Sequence, residues 1–301
     1  MSKEKKIKQK WQFSPLNTIL GVIMGIWCIT FLLVLFWGVI TSLKDDIYFR
    51  IDFFGLPEGH IWEWDYENYS LAFNYLRVKI RAGAGFRYVY ALEMLLNTLL
   101  YGVGTAGITI LTTATTAYVC CRFKYKFSNF LYGYVIVTMI IPLIGSGVST
   151  LDVLKGMGLY DSIIGLYVTS FAFGGTNFLI FHAAFEPLSK DYADAAKIDG
   201  ANNYVVLFKI MLPMVRNVIG ILFLTAFIGK WNDYQTALLY LPSYPVLAQG
   251  LLEFANSTTN SLSTVPMKIT ACMIMTIPMA AVFIIFRNQL IGKLNIGGLK
   301  E

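Results

Sequence analysis

Residues 193–213 read ADAAKIDGANNYVVLFKIMLP. Ala195 and Ala196 stand side by side, Gly200 follows, and Pro213 closes the stretch. Asp194, Lys197, Asp199 and Lys209 charge it, with Asp191 just before it, although the text beyond is almost wholly apolar. Local rules turn it into two short helices with a hinge. Pro187 suits a first helical position, where its missing N–H costs nothing. A helix from Leu188 to Asp199 ends at Gly200, which supplies a left-handed residue. Asn202 or Asn203 caps a second helix, and Pro213 prevents its simple continuation. Leu188, Tyr192, Ala195 and Ala196 fall on one face of the first helix. Two uses fit such a segment: an amphipathic helix lying on a membrane, or a short knob presented to another protein's groove. The hinge glycine and terminal proline at fixed distances favour the knob, because a helix lying on lipid needs neither.

The surroundings set the class. Of 301 residues, 56% are apolar and 14% charged, whereas a soluble domain is about 45–50% apolar and about 25% charged. The composition predicts an all-α polytopic membrane protein. A spanning helix needs about 20 mostly apolar residues, and six runs qualify or nearly so. They cover roughly 17–42, Met94–Cys121, Phe127–Leu151, Ser162–Phe185, 213–235 and Ile269–Phe286. The chain then divides into a tail (1–16), a first span (17–42), a long loop (43–92), a five-helix core (93–291) with the charged loop at 186–213, and a second tail (292–301). Residues 234–252 are also uncharged, but Pro242 and Pro245 would remove backbone donors from a helix in lipid. That segment is read as an outer loop packed on protein.

Basic residues give the orientation. The N-terminal tail carries Lys3, Lys5, Lys6, Lys8 and Lys10, the loop after the second span Arg122, Lys124 and Lys126, and the C-terminal tail Arg287, Lys293 and Lys300. Lys190, Lys197, Lys209 and Arg216 lie in or beside the charged loop, whereas 152–161 and 236–265 hold only Lys155. By the positive-inside rule both termini and the charged loop are cytoplasmic, and 43–92 lies outside. The net charge of +6 then reports basic cytoplasmic loops rather than nucleic-acid binding. Trp62, Trp64, Tyr66, Tyr69 and Phe73 make 43–92 an ordered lid lying partly on the membrane. Gly83-Ala84-Gly85 reads as a flexible loop point.

The pattern D-A-A-x3-G-x9-I-x-L-P, at Asp194, Ala195, Ala196, Gly200, Ile210, Leu212 and Pro213, resembles the cytoplasmic signature of ABC importer permeases. That signature usually begins with Glu, so Asp194 is one methylene shorter. YENYSLAF at 66–73, LNTLL at 96–100, AYVCCRFKYKF at 117–127, KWNDY at 230–234 and LIGKLNIGGLKE at the end resemble further family text. Together they are similar to the second permease of maltose-type, multi-sugar importers.

The resemblance implies a type I importer permease fold in a bacterial cytoplasmic membrane. It implies a heterodimer with a second permease, two ATPase subunits docked below, and an extracellular binding protein that delivers a sugar or oligosaccharide. The helix at 187–200 would be the coupling helix, and ATP and Mg would sit on the ATPase, with no cofactor on this chain. The chain itself has no G-x-x-x-x-G-K-[ST] phosphate loop, so an ATPase must act in trans.

Trp231, Asn232 and Asp233 are candidates for the substrate pathway; the alternative is an interfacial aromatic anchor beside a helix end. Pro142, Gly145 and Gly147, with Ser146, form either an outer gate or an ordinary turn. Four cysteines and two histidines offer no metal-ligand spacing and no catalytic constellation. A secondary transporter would want intramembrane carboxylates and inverted repeats, and neither is seen. An amino-acid or peptide permease is the nearest alternative, opposed only by the resemblances at 230–234 and the C-terminus.

Overall fold

The spine of the molecule is α4 (Ala91–Arg122), 32 residues long. Glu93 in its first turn and Arg122 in its last complement the two poles of the helix dipole. Its glycines admit close neighbours: a Cβ at Gly102 would come within 3.1 Å of the Phe227 ring, and one at Gly104 would strike Tyr167. This is the packing use of small residues in membrane helices. Along α4 lie α8 (Thr176–Phe185) and α12 (Arg216–Trp231). The computed structural model describes residues 15–123, 125–141, 145–257 and 264–291.

Among the described residues, three helices are long and apolar enough to cross a membrane: α1 (Pro15–Ser42), α4, and α15 (Val265–Ile291), which carries Pro278 inside. A fourth results if Asn203–Met214 and Arg216–Trp231, bent by 79°, count as one span. The most apolar window of α4 is 44% buried, against 0% for α1 and 11% for α15. The last two therefore offer apolar surface to lipid or to a partner helix.

The expected third and fourth spans are each broken. Phe127–Leu151 divides into α5 (Lys126–Ile140) and α6 (Ser146–Gly156), with Gly145 left-handed at φ +81° between them. Ser162–Phe185 divides into α7 (Ile163–Thr169) and α8, and Gly175 before α8 has φ +86°. Counting charges finds these runs but is blind to a glycine that reverses the backbone. The helix expected over 188–199 is shorter, α9 (Asp191–Ile198). Ser189 intervenes by accepting the Asp191 N–H on its hydroxyl at 3.2 Å, a local turn that competes with helix. It is followed by α10 (Asn203–Val205), a π-helical stretch (Val206–Met211) and α11 (Leu212–Met214). The uncharged 234–252 segment forms α13 (Tyr234–Tyr240) and enters α14 (Leu247–Asn256). Its Val246 and Leu247 are buried, so it packs on protein.

Residues 43–92 are ordered, and the chain is not purely helical. After α2 (Asp46–Ile51), a 3₁₀ turn (Ile61–Glu63) and α3 (Glu67–Tyr75) comes an antiparallel hairpin, β1 (Arg77–Ala82) and β2 (Gly85–Tyr90). Gly83, at φ +59°, makes its turn, so Gly83-Ala84-Gly85 is a tight connection rather than a loose point. Alternation in β1 signals the strand: Val78 and Ile80 are buried, Arg77 and Lys79 exposed. Asn68 clamps this region to the first span, donating to the Ser42 and Lys44 carbonyls at 3.2 and 3.0 Å. The Tyr69 hydroxyl meets Ser42 Oγ at 2.8 Å. Burial, together with the Asp45 and Glu67 carboxylates, pushes the Asp65 carboxyl above its ordinary range.

Among the described residues, buried side chains form two clusters joined by α4. One gathers Val78, Val89, Met94, Tyr101, Trp231, Leu247 and Met275. The other gathers Ile110, Tyr118, Phe178, Phe181, Ala193, Ala196, Leu207 and Leu212.

Candidate functional site

At the second cluster the 186–213 loop is held by its own caps. Gly200, φ +84°, ends α9. Its N–H donates to Lys197 O at 3.0 Å and the Ala201 N–H to Ala196 O at 2.9 Å, the paired bonds of a Schellman close. Asn202 Oδ1 accepts the Val205 N–H at 2.9 Å and opens α10. The end of α4 fixes the loop's position: Arg122 Nη2 donates to Lys190 O at 2.7 Å and stands 3.5 Å from Asp194 Oδ1. Arg122 sits in the text AYVCCRF, but nothing in that text assigns it this anchoring.

The structure divides the face expected of Leu188, Tyr192, Ala195 and Ala196. Ala193 and Ala196 turn inward and are buried, and Leu188 packs partly against the same cluster. Tyr192, Ala195 and Ile198 turn outward, Tyr192 54% and Ile198 86% exposed. The neighbouring helix adds Tyr204, 75% exposed, and Phe208. Asp191, Asp194, Lys197 and Asp199 are exposed around them. Of the remaining signature residues, Ile210 is half-buried, Leu212 buried and Pro213 exposed. Large apolar side chains rimmed by charge thus stand together on the exposed side of the loop.

At the other end, Trp231, Asn232 and Asp233 go three ways. Trp231 is buried, its ring 5.8 Å from that of Phe227. Asn232 is exposed and donates to Ile228 O at 3.0 Å. Asp233 is a hub: Oδ2 accepts from the Tyr101 hydroxyl at 2.8 Å and from Lys230 Nζ at 3.0 Å, while Oδ1 accepts the Thr236 N–H at 3.0 Å and caps α13. LNTLL gains a role here. Asn97 Nδ2 donates to Pro245 O at 3.1 Å, and Thr98 Oγ1 accepts the Leu247 N–H at 2.8 Å. Of the outer-gate candidates, Gly145 is the left-handed residue before α6, and the Gly147 carbonyl accepts from the Tyr240 hydroxyl at 2.9 Å. Pro142 lies outside the described residues, as does the tail 292–301. Among the described residues no cluster of His, Cys, Asp or Glu could hold a metal ion.

A further feature was not legible in the sequence. The break between α7 and α8 lies against the middle of α4. Thr109 Oγ1 donates to Ser170 O at 3.0 Å, and Thr112 and Thr113 donate to Ala172 O at 3.1 and 3.0 Å. Phe171 and Phe173 in this unwound segment are more than half exposed.

A profile of the family described as "Binding-protein-dependent transport system inner membrane component" matches residues 110–295. The chain is 25% identical over 276 residues to the diacetylchitobiose uptake system permease protein NgcG of Streptomyces coelicolor, covering 90% of this chain and 85% of that one. It is 24% identical over 206 residues to the arabinooligosaccharides transport system permease protein AraQ of Bacillus subtilis, covering 68% and 72%. Its fold is similar to that of a chain in a bacterial ABC transporter involved in the import of the acidic polysaccharide alginate. The TM-score is 0.69 and the identity 18%, over 92% of this chain and 98% of that one.

Proposed function

This chain belongs to the family of inner membrane components of binding-protein-dependent transport systems, and from that premise we propose that it carries a sugar or oligosaccharide across a bacterial cytoplasmic membrane. The observation that carries the reading is the 186–213 loop. It presents Tyr192, Ala195 and Ile198 on a short capped helix, apolar in the middle and charged at the rim. A partner ATPase, holding ATP and Mg, seats its groove on that helix. A different permease completes the pore, and an extracellular binding protein delivers the sugar. The chain crosses six times, α5–α6 and α7–α8 each serving as one broken crossing, with both termini cytoplasmic. Closure of the ATPases moves the coupling helices, and packed helices rock between inward- and outward-facing states.

Purification from native membranes in mild detergent, with mass spectrometry of what accompanies the chain, tests this. The expected companions are an ATPase, a second permease and a sugar-binding protein. A chain that purifies alone, with no ATPase even after cross-linking through Ala195→Cys, would return the loop to the role of a membrane-surface helix.

The translocation path runs past the α7–α8 break. Unwound backbone at membrane depth is tolerated where it is buried in protein or lines a water-filled cavity. The threonines of α4 satisfy the carbonyls on one side, while Phe171 and Phe173 on the other present ring faces to a passing sugar. Replacing both with alanine raises the sugar concentration for half-maximal uptake about three- to tenfold. Uptake by reconstituted vesicles measures it, and an unchanged concentration dependence removes these rings from the path.

A further inference from the structure

We propose that the outward face of the β1–β2 hairpin is an electrostatic docking surface for an acidic patch on the extracellular binding protein; this rests on the importer reading above. The register sets Arg77 opposite Tyr90, Lys79 opposite Tyr88 and Arg81 opposite Phe86. Residues directly opposite share a face, so three cations and three rings stand together. The other face carries Val78, Ile80 and Val89, buried in the main cluster, which fixes the hairpin rigidly to the body. The Arg77 guanidinium lies 4.5 Å from the centre of the Tyr88 ring, and the Lys79 ammonium 4.3 Å from that of Phe86. Such contacts orient a charge without cancelling it. Arg87, on the buried side of the register, pairs with Glu93 at 2.7 Å. Among the described residues, Arg77, Lys79 and Arg81 take part in no ion pair.

The acids of the long loop keep off the hairpin. Asp45, Asp46, Asp52, Glu58, Glu63, Asp65 and Glu67 all precede it, with Lys44 and Arg50 among them, and the hairpin itself holds Arg77, Lys79, Arg81 and Arg87 with no acid. A row of oriented, unpaired cations selects an anionic partner. A free sugar is held by a concave site, whereas two paired strands present a surface open along its length. A lipid surface would take rings clear of charge, and here a cation lies over one face of Tyr88 and one of Phe86. A protein surface bearing Asp and Glu fits both facts. Its approach is steered by opposite charge and weakened by salt, and cations already held by rings lose little freedom on contact.

The test uses the assembled complex in discs of phosphatidylcholine, with the binding protein that copurifies with it as the probe. Affinity for the unmodified complex is expected to weaken about tenfold between about 50 and about 300 mM salt. The triple variant Arg77→Glu, Lys79→Glu, Arg81→Glu binds at least about tenfold more weakly at the lower salt and loses that slope. Arg81→Glu alone disturbs no ring or ion contact, so it folds as the parent does, and it weakens binding about threefold. The charge-preserving set Arg77→Lys, Lys79→Arg, Arg81→Lys binds as the parent does. Equal affinity and equal slope in both glutamate variants would overturn the assignment. So would a difference that emerges only when phosphatidylglycerol is added to the discs, which would give the cations to lipid headgroups. If the unmodified complex neither binds that protein nor is stimulated by it, the importer reading itself has failed.

Discussion

Gly200→Pro abolishes the ATP hydrolysis that binding protein and sugar stimulate in the assembled importer, while the chain still inserts in membranes. Gly200 stands at φ +84°, and proline is locked near −65°. The substitution also deletes the N–H that donates to Lys197 O at 3.0 Å. With the left-handed residue gone, the neighbouring bond from Ala201 to Ala196 O cannot form either. The combined cost is about 3 kcal/mol or more, and it falls on the joint that sets α9 against α10. Stimulation is expected to fall about a hundredfold, since positioning errors of about an ångström cost that much when parts must be aligned. Ala195→Arg separates docking from folding. Ala195 points outward, so an arginine there leaves the loop's own packing intact and blocks the partner's groove. Ala196→Arg buries a charge in the second cluster and unseats α9 instead. Stimulation within about twofold of the parent in both Gly200→Pro and Ala195→Arg would remove the loop from coupling.

Asp233→Ala destabilises the chain by about 2–4 kcal/mol, because one carboxylate satisfies three donors. Its removal strands the buried Tyr101 hydroxyl and the Lys230 ammonium, and takes the cap from α13. Asp233→Asn keeps Oδ1 as the acceptor for the cap, but its amide nitrogen takes the place of Oδ2, so the Tyr101 hydroxyl must turn to accept and the Lys230 ammonium loses its acceptor and the charge it faced; about half the loss is expected. Thermal unfolding of the detergent-solubilised chain, followed beside sugar uptake, gives the check. A normal unfolding midpoint with abolished uptake in Asp233→Asn would make Asp233 a substrate contact instead of a structural hub.

How much could be read in advance depends on what each residue needs to declare itself. Hydropathy located α1, α4 and α15 because a span is a sum over about 20 residues, and each run declares itself without its neighbours. Gly200 and Asn202 were legible for the opposite reason: a left-handed stop and a cap act within a turn. Val78 and Ile80 alternate with Arg77 and Lys79, a strand signal that the mixed charge of the long loop obscured.

By itself, the sequence determined that the chain is apolar and mostly helical with a capped, charged loop, since composition, spacing and local caps are properties of neighbouring residues; that the loop belongs to a permease rested on its resemblance to the importer signature. Only the tertiary structure decided which alanines of that loop face outward, because the choice depends on the cluster that α4 and α8 bring to it. It alone turned Trp231 into the core and made Asp233 the partner of Tyr101, 132 positions away. It broke the third and fourth runs, whose second halves restart after Gly145 and Gly175 at positive φ, angles that no hydropathy sum contains. Contacts of that range are specified jointly by distant segments, and only the folded chain brings them together.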